Sequence, residues 1–136
     1  VENKKIICDT DVIIDYFDQS NSRYKQTRSI LDEKIGLRNV VISAVAKMEL
    51  IAGAFSKQNL NLIKANISGI ELLLINHEIT LTALNLIETY KLSHNLAMAD
   101  SFIAATSLFT GYPLFTYNTK DYKFIAEIEL FVAVKG

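Results

Sequence analysis

Short apolar runs, set between stretches of helical periodicity, constrain this chain more than any other feature. The first passes from Lys4-Lys5 through Ile6-Ile7-Cys8 and breaks at Asp9-Thr10-Asp11, the pattern of a strand buried on both faces. Similar runs stand at Val40-Val41-Ile42, at residues 71–75 and at Leu114-Phe115-Thr116, and residues 130–134 offer a fifth. The intervening segments gather apolar residues on one helical face. Residues 12–17 and 23–34 do so first, the second with Tyr24, Thr27, Ile30 and Leu31 inward and Gly36 as a stop. Ser43 suits the N-cap of a helix reaching Phe55. A short polar helix is expected over residues 59–66, and Ile79, Ala83, Leu86, Ile87 and Tyr90 mark the buried face of the next. Over residues 97–109 the spacing of Met98, Phe102, Ala105 and Phe109 predicts a last helix, ended by Gly111 because Pro113 cannot continue it.

Strands alternating with helices predict an α/β fold, a parallel sheet covered on both faces. With no repeat, low-complexity tract or linker, residues 1–136 read as one domain. Half the residues are hydrophobic and 21% charged, enough to fill such a core. The longest uncharged run, residues 101–119, is interrupted by Gly111-Tyr112-Pro113 and Asn118, so no membrane span is expected. No basic, apolar leader opens the chain and Cys8 is its sole cysteine, which fits a reducing cytoplasm.

The net charge of −1 excludes a protein wrapped on nucleic acid through clustered lysines and arginines. The charges are uneven, however. Residues 23–38 carry Arg23, Lys25, Arg28, Lys34 and Arg38 against Asp32 and Glu33, while the segment before them is acidic. A basic flank beside an acidic pocket and ordinary solvated helix faces both fit this pattern. In the first case Arg23, Lys25 and Arg28 are candidates for holding a polyanionic ligand at the rim.

Ligands of an open parallel sheet bind at the carboxyl ends of its strands. Asp9, Asp11 and Asp121 are expected at that edge, Glu49 within two turns of the start of the helix after the second strand, and Asp100 at the start of the helix before the fourth. Clustered carboxylates repel one another unless protons or cations balance them. Mg²⁺ or Mn²⁺ suits such all-oxygen donors and supports phosphodiester hydrolysis. Each acid also has an ordinary role: Asp9, Asp11 or Asp100 as a helix cap, Asp121 as part of a turn. Glu49, flanked by apolar residues, is expected to be partly buried and in need of a partner. No nucleophile constellation competes, since Cys8 lies in a buried strand and His77 and His94 lack a nucleophile beside them.

In order and context these acids resemble the PIN-domain family, and specifically the VapC-type toxins of bacterial toxin–antitoxin pairs. Cys8-Asp9-Thr10-Asp11-Val12 is similar to the family's first motif, a strand followed by Asp-Thr-Asn-Val. Ser43-Ala44-Val45-Ala46-Lys47-Met48-Glu49-Leu50 resembles the second, Ala99-Asp100-Ser101-Phe102-Ile103-Ala104 the third, and Thr116-Tyr117-Asn118-Thr119-Lys120-Asp121-Tyr122 the fourth. The resemblance implies a three-layer α/β/α fold with a four- to five-stranded parallel sheet and a Mg²⁺- or Mn²⁺-dependent endoribonuclease. It further implies a homodimer and a cognate VapB-like antitoxin whose tail blocks the site. Asp9 and Asp100 would be the principal metal ligands, Glu49 a ligand or the group that positions the metal's water, and Asp121 a closing acid. Thr116 and Asn118 would be polar supports. Asp11 stands where the family more commonly has Asn, and is either a further ligand or a cap. The RNA implied is a tRNA or a ribosomal RNA loop.

Two alternatives remain at this point. Asp9-Thr10-Asp11 after a strand also fits the nucleophile and acid/base pair of a haloacid-dehalogenase-like phosphatase, although the Gly expected after Asp11 is missing. A PIN-like fold could also bind RNA or protein without cutting.

Overall fold

The computed structural model describes residues 4–133. Its centre is a sheet of four parallel strands, β1 (Ile6–Cys8), β2 (Val40–Ser43), β3 (Glu71–Leu73) and β4 (Leu114–Phe115), in the order β3-β2-β1-β4. Every residue of β1 and β2 is buried, as expected of strands covered on both faces. The helices are α1 (Thr10–Phe17), α2 (Tyr24–Ser29), α3 (Ala44–Ala52), α4 (Lys57–Ile67), α5 (His77–His94) and α6 (Met98–Thr110). Sheet and helices form the expected three-layer α/β/α arrangement. The chain steps outward from β1 to β2 to β3, then crosses back through α5 and α6 to place β4 on the other side of β1. Connections leave β1 and β4 in opposite directions, which opens a crevice at their carboxyl ends.

Local chemistry sets most boundaries. Asp9, Ser43, Ser56 and Asn76 cap α1, α3, α4 and α5 through their side chains, and Gly111 ends α6 at φ 78°, where a Cβ would be strained. Three expectations change. The helix foreseen over residues 23–34 tightens to α2 and then widens into a π-helical turn, Ile30–Ile35, closed by Gly36 at φ 88°. The helix foreseen up to Phe55 stops at Ala52, because Ser56 is recruited to cap α4 and draws the chain away, leaving Phe55 exposed. The fifth strand is, among the described residues, a single parallel bridge between Leu114 and Leu130, held by Leu114 N–H to Glu129 O at 2.9 Å and Phe131 N–H to Leu114 O at 2.8 Å. Val134 lies outside the described residues.

The inward face of α6 also differs from the spacing argument. Met98 and Phe109 are 71% and 51% exposed, whereas Ser101, Ile103, Ala104, Ala105, Thr106 and Ser107 are buried. Small residues let α6 lie close against α5 and the sheet. Their hydroxyls are satisfied by backbone carbonyls, Ser101 by Met98 at 2.6 Å, Thr106 by Phe102 at 2.8 Å and Ser107 by Tyr112 at 2.7 Å, so burial leaves no donor stranded. Among the described residues no helix is long and apolar enough to cross a membrane.

Candidate active site

Asp9 directly follows β1 and is almost fully buried. Its Oδ1 accepts the Thr10 N–H at 2.8 Å and its Oδ2 accepts the Thr116 hydroxyl at 2.8 Å. The side chain therefore caps α1 and is also cross-braced to the end of β4. Thr116 is held in turn, its hydroxyl accepting the Asn118 N–H at 3.0 Å. Burial raises the Asp9 pKa, opposed by these hydrogen bonds and reinforced by the charge of Glu49.

Asp11 is not a helix cap. Its Oδ2 accepts the Tyr117 N–H at 3.0 Å and the Asn118 side-chain amide at 3.1 Å, tying α1 to the loop after β4. Its Oδ1 is buried with no hydrogen-bond partner. Burial, with the charge of Asp9 next, pushes its pKa up to about 6.

Glu49 projects from α3 and is exposed, contrary to the expectation of partial burial. The apolar neighbours in its sequence belong to the inner face of α3, where Ala46 and Leu50 are buried, while Glu49 falls at the rim. It nevertheless has the partner that was anticipated, since the Thr10 hydroxyl donates to its Oε1 at 2.6 Å. Asp100 lies in the first turn of α6, and the buried Tyr122 hydroxyl donates to its Oδ1 at 3.0 Å. Burial, followed among the raising effects by the charges of Asp9, Asp121 and Glu49, moves the Asp100 pKa to about 6. Asp121 is exposed on the 3₁₀ turn Thr119–Asp121. Asp9, Glu49, Asp100 and Asp121 thus share one electrostatic neighbourhood, although among the described residues no three groups of His, Cys, Asp or Glu type converge into a metal cage. Thr10 and Tyr122 were not foreseen as site residues; only their places beside Asp9 and Asp121 in the motifs could have suggested them.

The basic residues are placed differently from one another. Arg23 Nε donates to the buried Asp15 at 2.6 Å, and its guanidinium lies 4.2 Å from the centroid of the Tyr117 ring. Arg28 donates to the Tyr16 carbonyl at 2.9 Å and stacks over the Tyr16 ring at 4.0 Å. Lys25 is exposed. No lysine, arginine or histidine among the described residues forms a salt bridge with Asp9, Asp11, Glu49, Asp100 or Asp121. Cys8 is fully buried, and burial raises its thiol pKa far out of the nucleophilic range. His94 stacks on Phe124 with centroids 4.1 Å apart. Glu49 also borders an apolar groove of about 490 Å³ between α1, α3 and α4, lined by Ile13, Phe17, Leu50, Leu62 and Ile63 among others.

Acids gathered where the carboxyl ends of β1 and β4 diverge, on a three-layer fold with strand order β3-β2-β1-β4, define a class of protein. The PIN domain family model matches residues 6–127, and the chain belongs to that family. Within it the chain resembles the VapC-type toxins. It is 32% identical over 130 residues to Ribonuclease VapC1 of Methanocaldococcus jannaschii, covering 95% of this chain and 87% of the relative. Among solved structures it is similar to a toxin–antitoxin complex from Klebsiella pneumoniae, with a TM-score of 0.72, 27% identity and coverage of 91% of this chain and 95% of that one. It is also similar to VapBC-1 from nontypeable Haemophilus influenzae, with a TM-score of 0.71, 26% identity and coverage of 93% and 96%.

Proposed function

We propose that this protein is a Mg²⁺- or Mn²⁺-dependent endoribonuclease and the toxin of a toxin–antitoxin pair. One observation carries the proposal: Asp9, Asp11 and Asp100 all have raised pKa values, from burial first and then from neighbouring carboxylate charge, and among the described residues no basic side chain forms a salt bridge with them. A hard divalent cation is the counter-charge that an all-oxygen donor set accepts. Asp9 and Asp100 would hold it, with Glu49 and Asp121 closing the site from the rim. Bound there, the ion supplies charge for a phosphoryl oxygen and acidity for an attacking water. The chain's own contribution is orientation: Thr10 N–H and Thr116 Oγ1 fix Asp9, and Thr10 Oγ1 fixes Glu49. Asp11 and Asn118 keep the loop after β4 beside them.

The archaeal relative, named a ribonuclease, supports an RNA substrate, for which tRNA and ribosomal RNA are the classes we infer. The similar solved structures are toxin–antitoxin assemblies, which supports a VapB-like antitoxin as partner. The apolar groove beside Glu49 is the surface on which its tail would approach the acids. We further infer a cytoplasmic homodimer, one nuclease domain per chain over residues 1–136, with the exposed Lys25 better placed for RNA than the engaged Arg23 and Arg28. Asp11 does not suit the acid/base residue of a phosphatase, because its Oδ2 is committed to Tyr117 and Asn118 and its Oδ1 is buried.

Incubating purified protein with tRNA and rRNA in Mn²⁺ or Mg²⁺ tests the proposal. Discrete cleavage products are expected, abolished by EDTA and by Asp9→Asn, with end-mapping to locate the cut. RNA left intact by wild-type protein in both ions would overturn the nuclease assignment and leave a binding module.

A further inference from the structure

Tyr122 is among the largest fully buried side chains, yet its one polar atom points at the acids. Its backbone is held in a turn, with its N–H bonded to Thr119 O at 3.0 Å and its carbonyl accepting the Ile125 N–H at 2.9 Å. Ring and hydroxyl are therefore fixed relative to the sheet edge. The hydroxyl donates to Asp100 Oδ1 at 3.0 Å, and it also lies close enough to Asp9 to favour that residue's ionised form.

The remaining contacts show why this matters. Asp9 has protein donors on both oxygens, Thr10 N–H and Thr116 Oγ1. Asp100 has none besides Tyr122 among the described residues, and its Oδ2 accepts no hydrogen bond from them. Without the phenol, no hydrogen bond among the described residues would hold the Asp100 carboxylate, in the first turn of α6, in its rotamer. With it, one oxygen is occupied and the other has no protein donor among the described residues. A phenol carries its proton at neutral pH, so the hydroxyl is a donor there.

We propose that Tyr122 is a positioning residue of the nuclease site, one whose hydroxyl orients Asp100 beside Asp9 so that both carboxylates are set for a cation before it arrives. The inference rests on the reading of Asp9 and Asp100 as metal ligands. It assigns to a residue that reads in sequence as core the task of an outer-shell donor, the kind of partner whose loss costs roughly 10–100-fold in metal affinity.

The test compares Mn²⁺ binding, followed by electron paramagnetic resonance of the free ion, in wild type, Tyr122→Phe, Asp9→Asn, Asp100→Asn and Ile125→Val. Tyr122→Phe keeps the ring and removes only the hydroxyl. The expected result is about tenfold weaker Mn²⁺ binding, with RNA cleavage recovering toward the wild-type rate at saturating Mn²⁺, so that the apparent metal constant moves and kcat does not. Ile125→Val loosens the same buried turn, and it should lower the melting temperature slightly with Mn²⁺ affinity unchanged. If Tyr122→Phe binds Mn²⁺ as wild type does while both aspartate variants have lost it, the positioning role is wrong and the metal reading stands. If both aspartate variants bind Mn²⁺ normally, the metal reading fails and the Tyr122 role goes with it. A fall in affinity of equal size in Ile125→Val and Tyr122→Phe would reduce Tyr122 to a packing residue and overturn the proposal.

Discussion

Replacing Asp100 with asparagine should make the metal-free protein more stable, although it removes an acid from the site. Folding raises the Asp100 pKa from 3.8 to about 6, so the folded state binds this proton more readily than the unfolded chain does. Stability from this group is accordingly complete below pH 3.8 and is lost as pH rises through about 6. Two units correspond to about 3 kcal/mol. Asp100 is only partly buried, and halving the figure for solvent screening leaves about 1.5 kcal/mol. Asparagine has the same shape, still accepts the Tyr122 hydroxyl and carries no charge to repel Asp9. With an unfolding entropy near 0.3 kcal/mol/K for a chain of this length, the melting temperature should rise by about 5 °C at neutral pH. Calorimetry in EDTA at neutral pH and again near pH 4 measures this. The gain should be present in the first condition and absent in the second, where wild-type Asp100 is protonated. Adding Mn²⁺ should stabilise the wild type and leave the variant unmoved. A variant less stable than wild type at neutral pH in EDTA, or a gain independent of pH, would refute the picture of uncompensated carboxylate charge.

Thr10→Val should release Glu49 and lower RNA cleavage about tenfold, while changing stability by less than about 1 kcal/mol, as measured by urea denaturation beside the activity assay. Arg23→Ala strips the buried Asp15 of its ion-pair partner and should cost about 2–3 kcal/mol, the Arg23 side chain being half-exposed; a loss of RNA affinity with no loss of stability would show instead that Arg23 serves the substrate. Leu62→Glu places a charge in the apolar groove, and it should leave RNA cleavage intact while abolishing neutralisation by the cognate antitoxin in a co-expression growth assay.

Much of the framework was legible from local patterns. The short apolar runs became β1, β2, β3 and β4, and Ser43 and Gly111 bound their helices where residue chemistry said they would. Errors arose where neighbours outvoted local pattern. The spacing of Met98 and Phe109 looked like a core stripe, but α6 buries Ala, Ser and Thr because close packing on α5 favours small side chains and the helix's own carbonyls satisfy their hydroxyls. Glu49 was expected to be partly buried on the evidence of its apolar neighbours, yet helical geometry sends residues adjacent in sequence to different faces.

For the site itself, the sequence alone determined which acids are available, and their motif order marked Asp9, Glu49, Asp100 and Asp121 as candidates. Tertiary structure decided what holds them. The Thr116 hydroxyl meets Asp9 across 107 positions, Thr10 meets Glu49 across 39, and Tyr122 meets Asp100 across 22. No period or spacing encodes such pairs, because they exist only once the folded sheet and its helices have brought distant segments within hydrogen-bond reach. Asp11 is the clearest case: in sequence it reads as a cap or a ligand, and in the fold it is the tie between α1 and the loop after β4.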